Sequence, residues 1–131
     1  VANPPFYQSD QVQPVPDLAR ARAHQTDAAG LENWVRCACA LAVANGLVTF
    51  VHRAEALDDL LLAMRGRLGA LKIQPVTPRA GETAHRVLVQ GRRDARTPLV
   101  LLPPILLQNA TGGPSAEAEA VLRHGAALAF A

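Results

Sequence analysis

Near the middle of the chain, apolar and β-branched residues follow one another in Leu47-Val48-Thr49-Phe50-Val51-His52. This continuous run lacks the alternation of a half-exposed strand and is typical of a strand buried on both faces of a sheet. Apolar residues at helical spacing predict a helix on each side of the run, over residues 31–45 and 54–68. We expect Gly46 to take the left-handed conformation that ends the first helix. The run therefore predicts an α/β sheet covered by helices.

The C-terminal half of the chain predicts shorter elements. Strands or extended pieces are predicted over residues 70–76, 85–92, 99–102 and 105–107. Residues 78–82 form the expected turn between the first two strands, which makes them an antiparallel hairpin. Ser115 is the expected N-cap of a final helix that runs through about residue 123. This order of elements is that of the second half of an open α/β sheet.

The N-terminal region is polar after the first few residues. Residues 8–30 include Pro14 and Pro16 and predict a long, partly mobile loop with a helical turn near residues 18–24. Loops of this length within a compact domain are commonly functional or disordered.

Composition and charge exclude several classes of protein. The chain has 131 residues, of which 50% are hydrophobic and 18% charged, so it is neither collagen, coiled coil nor a generic disordered chain. No apolar stretch reaches the roughly 20 residues of a membrane span, so we expect no membrane association. Residues 1–64 contain four Arg against seven Asp and Glu, whereas residues 65–131 contain nine Lys and Arg against four acids. The basic second half permits an anionic partner such as RNA.

The two cysteines do not predict a metal site. Cys37 and Cys39 are two residues apart in a predicted helix, so their thiols lie on different faces. No second cysteine pair and no histidine follow at the spacing that zinc requires. No secretory signal is visible, and we therefore expect the reducing cytoplasm and no bound metal.

The first residues contain the motif with the clearest chemistry. Val1-Ala2 has the character of the last step of a buried strand, and Asn3-Pro4-Pro5-Phe6 follows as a rigid turn, since proline cannot continue a central sheet. Ligands of open α/β sheets sit beyond the carboxyl ends of the strands. Asn3 and His52 are therefore expected to line the same edge.

This tetrapeptide resembles the Asn-Pro-Pro-aromatic signature of S-adenosylmethionine-dependent methyltransferases that act on planar amino nitrogens. Such a nitrogen is a poor nucleophile because its lone pair is delocalised. The side-chain oxygen of Asn3 and the carbonyl of Pro4 can accept its two hydrogens, orient the lone pair and stabilise the positive charge that develops. The ring of Phe6 can stack on the planar substrate.

The resemblance extends over nearly all of residues 1–131 and is to the tRNA1(Val) adenine-N6 methyltransferases of the methyltransferase small domain superfamily. The matching segments are residues 3–6, 31–34, 45–53, 78–82, 86–89 and 101–104. The resemblance implies an α/β fold, namely the C-terminal half of a Rossmann-like methyltransferase sheet with an antiparallel terminal hairpin. It also implies S-adenosylmethionine as cofactor and tRNA or another RNA as partner.

The resemblance and the edge argument together give a set of candidate site residues. The catalytic candidates are Asn3, Pro4, Pro5 and Phe6, and Asn3 is also the candidate contact to the cofactor. The candidates for substrate binding are Tyr7, Arg20, Arg22, His24, His52, Arg53 and Arg79. Arg20, Arg22 and His24 follow the catalytic turn, in a segment that could close over a flipped-out base.

The chain also departs from the family pattern. The glycine-rich, acidic half that binds S-adenosylmethionine is expected to precede Val1 and is absent, so this chain alone is expected to be inactive. Two alternatives stay open within enzymes, guanine-N2 methylation of ribosomal RNA and methylation of a protein glutamine. A further alternative is a non-catalytic RNA-binding or dimerisation module. An unpaired sheet edge and an apolar face also predict self-association.

Overall fold

The computed structural model describes residues 1–4, 18–128 and 130, and the side chains of residues 18–28 are outside that description. The elements are α1 (Leu18–Leu41), β1 (Leu47–Arg53), a 3₁₀ turn (Ala54–Ala56), α2 (Leu57–Met64), β2 (Leu68–Thr77), β3 (Arg86–Arg93), β4 (Val100–Leu101), β5 (Ile105–Leu106) and α3 (Ala116–His124). The predicted α/β class is confirmed.

The strands form one mixed sheet in the order β1-β3-β2-β4, with β5 also paired to β2. β3 is antiparallel to both of its neighbours, so β1 and β2 run in the same direction. β4 and β5 pair in parallel with β2, β4 at Lys72 and Ile73 and β5 further along at Val76 and Thr77. The predicted antiparallel hairpin is confirmed, and its second strand lies between β1 and β2.

Ala2 extends the sheet on the other side of β1. It forms a parallel bridge with Phe50. The N–H of Ala2 donates to the carbonyl of Thr49 at 2.8 Å, and the N–H of Val51 donates to the carbonyl of Ala2 at 3.0 Å. This is the pairing expected of the last step of a parallel strand.

The core lies between the sheet and the helices α1 and α2. Its largest fully buried side chains are Phe50, Leu60, Met64, Val35 and Val89. β1 contributes buried residues from both faces, namely Val48, Thr49, Phe50 and His52, as the continuous apolar run predicts. Burying one large aliphatic or aromatic side chain contributes about 1.5–3 kcal/mol, so these five side chains together contribute about 8–15 kcal/mol.

The predicted loop over residues 8–30 is wrong for its second part, because α1 begins at Leu18 and continues without a break through residue 30. Residues 8–17 lie outside the described residues. The segment 18–30 lacks a regular apolar stripe but is rich in alanine and arginine, which have high helix propensity. Propensity summed over a dozen residues therefore outweighs the missing periodicity and the cost of Gly30.

Both predicted helix ends are placed too late. α1 ends at Leu41, and the left-handed residue after it is Asn45, with φ 60°, while Gly46 keeps a negative φ. α2 ends at Met64 because Gly66, with φ 76°, turns the chain, and Leu68 already belongs to β2. By contrast, the Ser115 cap is confirmed, since its Oγ accepts from the N–H of Ala118 at 3.0 Å.

The start of β2 contains a bulge with unusual backbone geometry. The pairing with β3 shifts between Gly69 and Lys72. Ala70 has φ 49°, a left-handed conformation that costs a residue with a Cβ about 1–2 kcal/mol. Beside it, a Cβ placed on Gly69 would lie only 2.0 Å from the carbonyl oxygen of Ala95. Both neighbouring positions therefore favour glycine, although only position 69 has it.

We expect Gly69→Ala to lower the free energy of unfolding by about 2–3 kcal/mol, since the clash is with backbone and no rotamer relieves it. We expect Ala70→Gly to raise it by about 1 kcal/mol through relief of the left-handed strain. Urea unfolding of both variants beside the wild type measures these changes. Equal destabilisation by the two substitutions would contradict the bulge geometry.

Candidate active site at the carboxyl edge

Four of the candidate residues, Asn3, His52, Arg53 and Arg79, lie in the described part of the chain at one edge of the sheet. Because β1 and β2 run in the same direction, their carboxyl ends lie at the same edge, which also contains the start of the antiparallel β3. We call this the carboxyl edge and define it by Asn3, His52, Arg53, Arg79 and Arg86.

Asn3 follows directly after the residue that bridges to β1. Ala2 lies opposite Phe50, so Asn3 emerges from the sheet beside the last three residues of β1. Asn3 is exposed, whereas Pro4 is buried. A buried proline fixes the direction of the backbone, because its φ is locked near −65°. The exposed amide of Asn3 is therefore held at the carboxyl edge by sheet pairing on one side and by a buried ring on the other.

His52 lies beneath this edge. His52 is only 7% exposed, and it pairs in register with Val87 of β3. A direct contact of His52 with a substrate stays a prediction. Its position does confirm that Asn3 and His52 belong to the same edge of the sheet.

Arg53 and Arg86 lie directly opposite each other where β1 and β3 pair. Arg53 forms an ion pair with Glu55 at 2.8 Å. Arg86 is exposed and donates from Nη1 to the carbonyl of His85 at 3.2 Å. Like charges directly opposite each other in a sheet are destabilising by a fraction of a kcal/mol. The pair with Glu55 offsets one of these charges, and the edge remains cationic.

Arg79 lies further along the same edge, just after β2, which is separated from β1 by β3. With neighbouring strands about 4.8 Å apart, the ends of β1 and β2 are separated by roughly 10 Å. The Nε of Arg79 donates to Oε1 of Gln108 at 2.7 Å. The segment after Gln108 is held by Asn109, whose Oδ1 accepts from the N–H groups of Thr111 and Gly113 at 3.0 and 3.1 Å. Arg79 is thus tied to an ordered turn at the far end of the edge.

Several candidates cannot be placed at this edge. Pro5, Phe6 and Tyr7 lie outside the described residues. Arg20, Arg22 and His24 belong to α1, but their side chains are outside the description. The roles given to these six residues stay predictions.

The sequence did not reveal the pairing of Arg53 with Arg86. The two residues are far apart in the chain, and only the register of β1 against β3 brings them together. The hairpin pattern predicts β3 and its pairing with β2. It does not predict the pairing of β3 with β1, because that pairing depends on tertiary structure.

In the described part of the chain, no three His, Cys, Asp or Glu side chains form a group that could hold a metal ion. No helix described there is both long and apolar enough to cross a membrane.

The two cysteines differ in their surroundings. Cys37 is exposed, and Cys39 is half-buried on α1. Burial raises the pKa of the Cys39 thiol above its ordinary value of 9.0, and the nearby charges of Arg67 and Arg93 oppose that rise.

Comparison with known proteins gives a structural match. No family model matches the chain, and no curated protein matches it. The crystal structure of a predicted O-methyltransferase, protein Atu636 from Agrobacterium tumefaciens, is similar with a TM-score of 0.70 and 26% sequence identity. The match covers 75% of this chain and 48% of that one, so this chain spans about half the length of its neighbour. The fold is therefore methyltransferase-like.

We expect Cys37 to be alkylated several-fold faster than Cys39 near pH 8. The thiolate is the reactive form, and burial together with the raised pKa of Cys39 leaves less of it at that pH. Raising the pH should narrow the difference as the Cys39 thiol ionises. Timed iodoacetamide labelling followed by peptide mass spectrometry measures both rates, and faster labelling of Cys39 would contradict its described burial.

Proposed function

We propose that the chain is part of an S-adenosylmethionine-dependent N-methyltransferase that acts on the exocyclic amino group of a nucleic-acid base, with adenine N6 in tRNA as the substrate. One observation carries the proposal. The exposed Asn3 emerges from a parallel sheet step beside the carboxyl end of β1, and a buried proline follows it. The methyltransferase-like fold supports the reaction class.

Asn3 is the candidate contact to S-adenosylmethionine in the described part of the chain. Glu55, the carboxylate nearest in sequence to the end of β1, is paired with Arg53 at 2.8 Å. When bound, the cofactor supplies the methyl group, and the roles derived below concern this chain's own residues.

Asn3 and Pro4 would act by orienting the amino group. The side-chain oxygen of Asn3 and the carbonyl of Pro4 each accept one N–H of the substrate, which turns the nitrogen lone pair away from the base plane. The same two oxygens stabilise the positive charge that appears on nitrogen as it reacts. Fixed acceptors need no reorganisation during the reaction, and both the sheet pairing of Ala2 and the burial of Pro4 fix them.

The charge of the carboxyl edge supports a nucleic-acid substrate over a protein glutamine. Arg53, Arg86 and Arg79 follow the edge away from Asn3, across a span of about 10 Å. Phosphates of an RNA loop are separated by comparable distances, and arginine is a common phosphate donor. A neutral glutamine side chain would form no ion pair with these arginines.

The central test is Asn3→Ala in a protein that carries the complete methyltransferase domain. We expect turnover on total tRNA to fall about 10²–10³-fold, the usual cost of one fixed polar group that stabilises transition-state charge. RNA affinity should change less than about threefold, since phosphate contacts supply most of it. Single-turnover transfer of a labelled methyl group and a binding titration give the two numbers.

Asn33→Ala is the matched control, because Asn33 is an exposed asparagine on α1 whose side chain accepts from Arg36. It should leave turnover unchanged. Ribosomal RNA and a glutamine-containing release factor serve as alternative substrates in the same assay. Full activity of Asn3→Ala on every substrate would overturn the mechanism. Activity of the wild-type protein on release factor alone would overturn the assignment of RNA as the substrate.

A second test concerns the charge of Arg86. We expect Arg86→Gln to weaken RNA binding and to reduce the salt slope by about 0.7–0.9, while the protein stays folded.

Urea unfolding and RNA titrations at several salt concentrations measure both effects. The control is Arg36→Gln, which removes the same charge from an exposed position on α1. Arg36→Gln should change the salt slope of RNA binding less than Arg86→Gln does. An unchanged salt slope in Arg86→Gln would show that Arg86 does not face the RNA.

A further inference from the structure

A cleft of about 740 Å³ lies at the opposite edge of the sheet from Asn3. It is formed by the turn after α2, the start of β2 and the segment after β3. Leu68 of β2 pairs with Arg93 of β3, which places the cleft beside the amino end of β2. The length of β1 separates the two edges by about 20 Å. The volume of the cleft lies within the range of about 300–1,000 Å³ that small-molecule sites occupy.

The walls of the cleft are cationic. Three arginines, Arg65, Arg67 and Arg96, line it with a single acid, Asp94. Arg67 is engaged, because it donates to Glu32 at 2.9 Å and to the carbonyl of Ala63 at 3.1 Å. Asp94 faces Arg93 at 3.8 Å.

Arg65 and Arg96 are the available cations. Both are exposed, and within the described part of the chain neither side chain has an ion pair or a hydrogen bond. Each also keeps its full set of guanidinium donors, which match the oxygens of a phosphate in a bidentate way. Arg65 and Arg96 share the cleft and have no protein anion as partner among the described residues, so an external anion can bind to them.

The floor of the same cleft is apolar. Leu61, Leu68, Leu71 and Leu99 line it, and 43% of Leu99 remains exposed. A ligand that fills this cleft therefore combines an anionic group with a flat or apolar body. A nucleotide has both parts, since its base can lie on the leucines while its phosphate meets the arginines.

Two residues with strained backbone conformations lie at the cleft. Among the described non-glycine residues, three have a positive φ, and two of them, Ala70 and Asp94, border or line it. The N–H of Ala70 donates at 3.2 Å to the carbonyl of Thr97, another lining residue. Strain of this kind persists where the surrounding structure imposes it and is concentrated at binding sites.

We propose that this cleft binds the phosphate group of a nucleotide between Arg65 and Arg96, with the base against the leucine floor. The nucleotide is either free or a unit of an RNA chain, because both present the same phosphate ester and base. The site is separate from the carboxyl edge and requires no methyl transfer. Its failure is therefore distinguishable from failure of the proposed function.

The test is binding of a fluorescein-labelled RNA of about eight nucleotides, measured by polarisation between about 50 and 200 mM salt. The double variant Arg65→Ala/Arg96→Ala should weaken binding about tenfold, since charge-assisted contacts are lost. It should also lower the salt slope by about 0.7, the value for one phosphate contact with a single strand. The control is Arg123→Ala, an exposed arginine on α3 that pairs with Glu119.

A second variant, Thr97→Trp, obstructs the cleft and keeps every charge. It should weaken binding comparably if the cleft itself is occupied. Adenosine 5′-monophosphate serves as a competitor of the RNA. Displacement that the double variant abolishes identifies a free nucleotide as a ligand, whereas RNA binding without displacement identifies the phosphodiester chain.

Two results would overturn the proposal. Either the double variant and Thr97→Trp bind RNA as Arg123→Ala does, or the arginine variants weaken binding while Thr97→Trp does not. The second result would place the anion on the open surface rather than in the cleft. Unchanged thermal melting of each variant shows that the comparison concerns folded protein, and all substituted side chains are exposed.

Discussion

The two-sided pairing of β3 is the constraint on which the rest of the structure depends. β3 is antiparallel to β1 on one side and to β2 on the other, so β1 and β2 point the same way although no direct bond joins them. As a result their carboxyl ends meet at one edge and their amino ends at the other. The first edge places Arg53, Arg79 and Arg86 in a row, and the second opens the cleft that Arg65 and Arg96 line.

Backbone hydrogen bonds of Ala2 connect Asn3 to this arrangement. The two hydrogen bonds of Ala2 with Thr49 and Val51 contribute about 1 kcal/mol each, which is modest. Their importance is positional, because parallel register leaves Asn3 one step beyond the carboxyl side of the Phe50 bridge. A slip by one residue would exchange the faces of the strand and move the amide out of the edge. The candidate chemistry therefore depends on register more than on binding energy.

Sequence patterns predicted those elements whose signals are local. The apolar run of β1, the hairpin of β2 and β3, and the Ser115 cap each follow from a few neighbouring residues. The helix over 18–30 was missed because alanine and arginine propensity produced it without a periodic stripe. The ends of α1 and α2 were misplaced because Asn45 and Gly66 supplied the left-handed turns, and a pattern of apolar residues does not show which residue will turn.

The candidate site was predictable only where the motif and the strand end coincide, at Asn3 and Pro4. The opposed arginines and the cleft join residues that are distant in the chain, and no spacing rule relates them. The bulge at Gly69 and Ala70 is the physical reason for the cleft. It shifts the register of β2 against β3 and brings the backbone of Ala95 against Gly69, where a side chain would not fit.

This packing connects stability to binding. A regular strand start would remove the left-handed strain of Ala70, which borders the cleft. The cost of about 1–2 kcal/mol at Ala70 is small beside the total stability of a domain, and a structure can bear it for one site. The two edges of the sheet thus differ in kind. The carboxyl edge presents polar groups from regular strand ends, whereas the amino edge obtains its cleft from an irregularity.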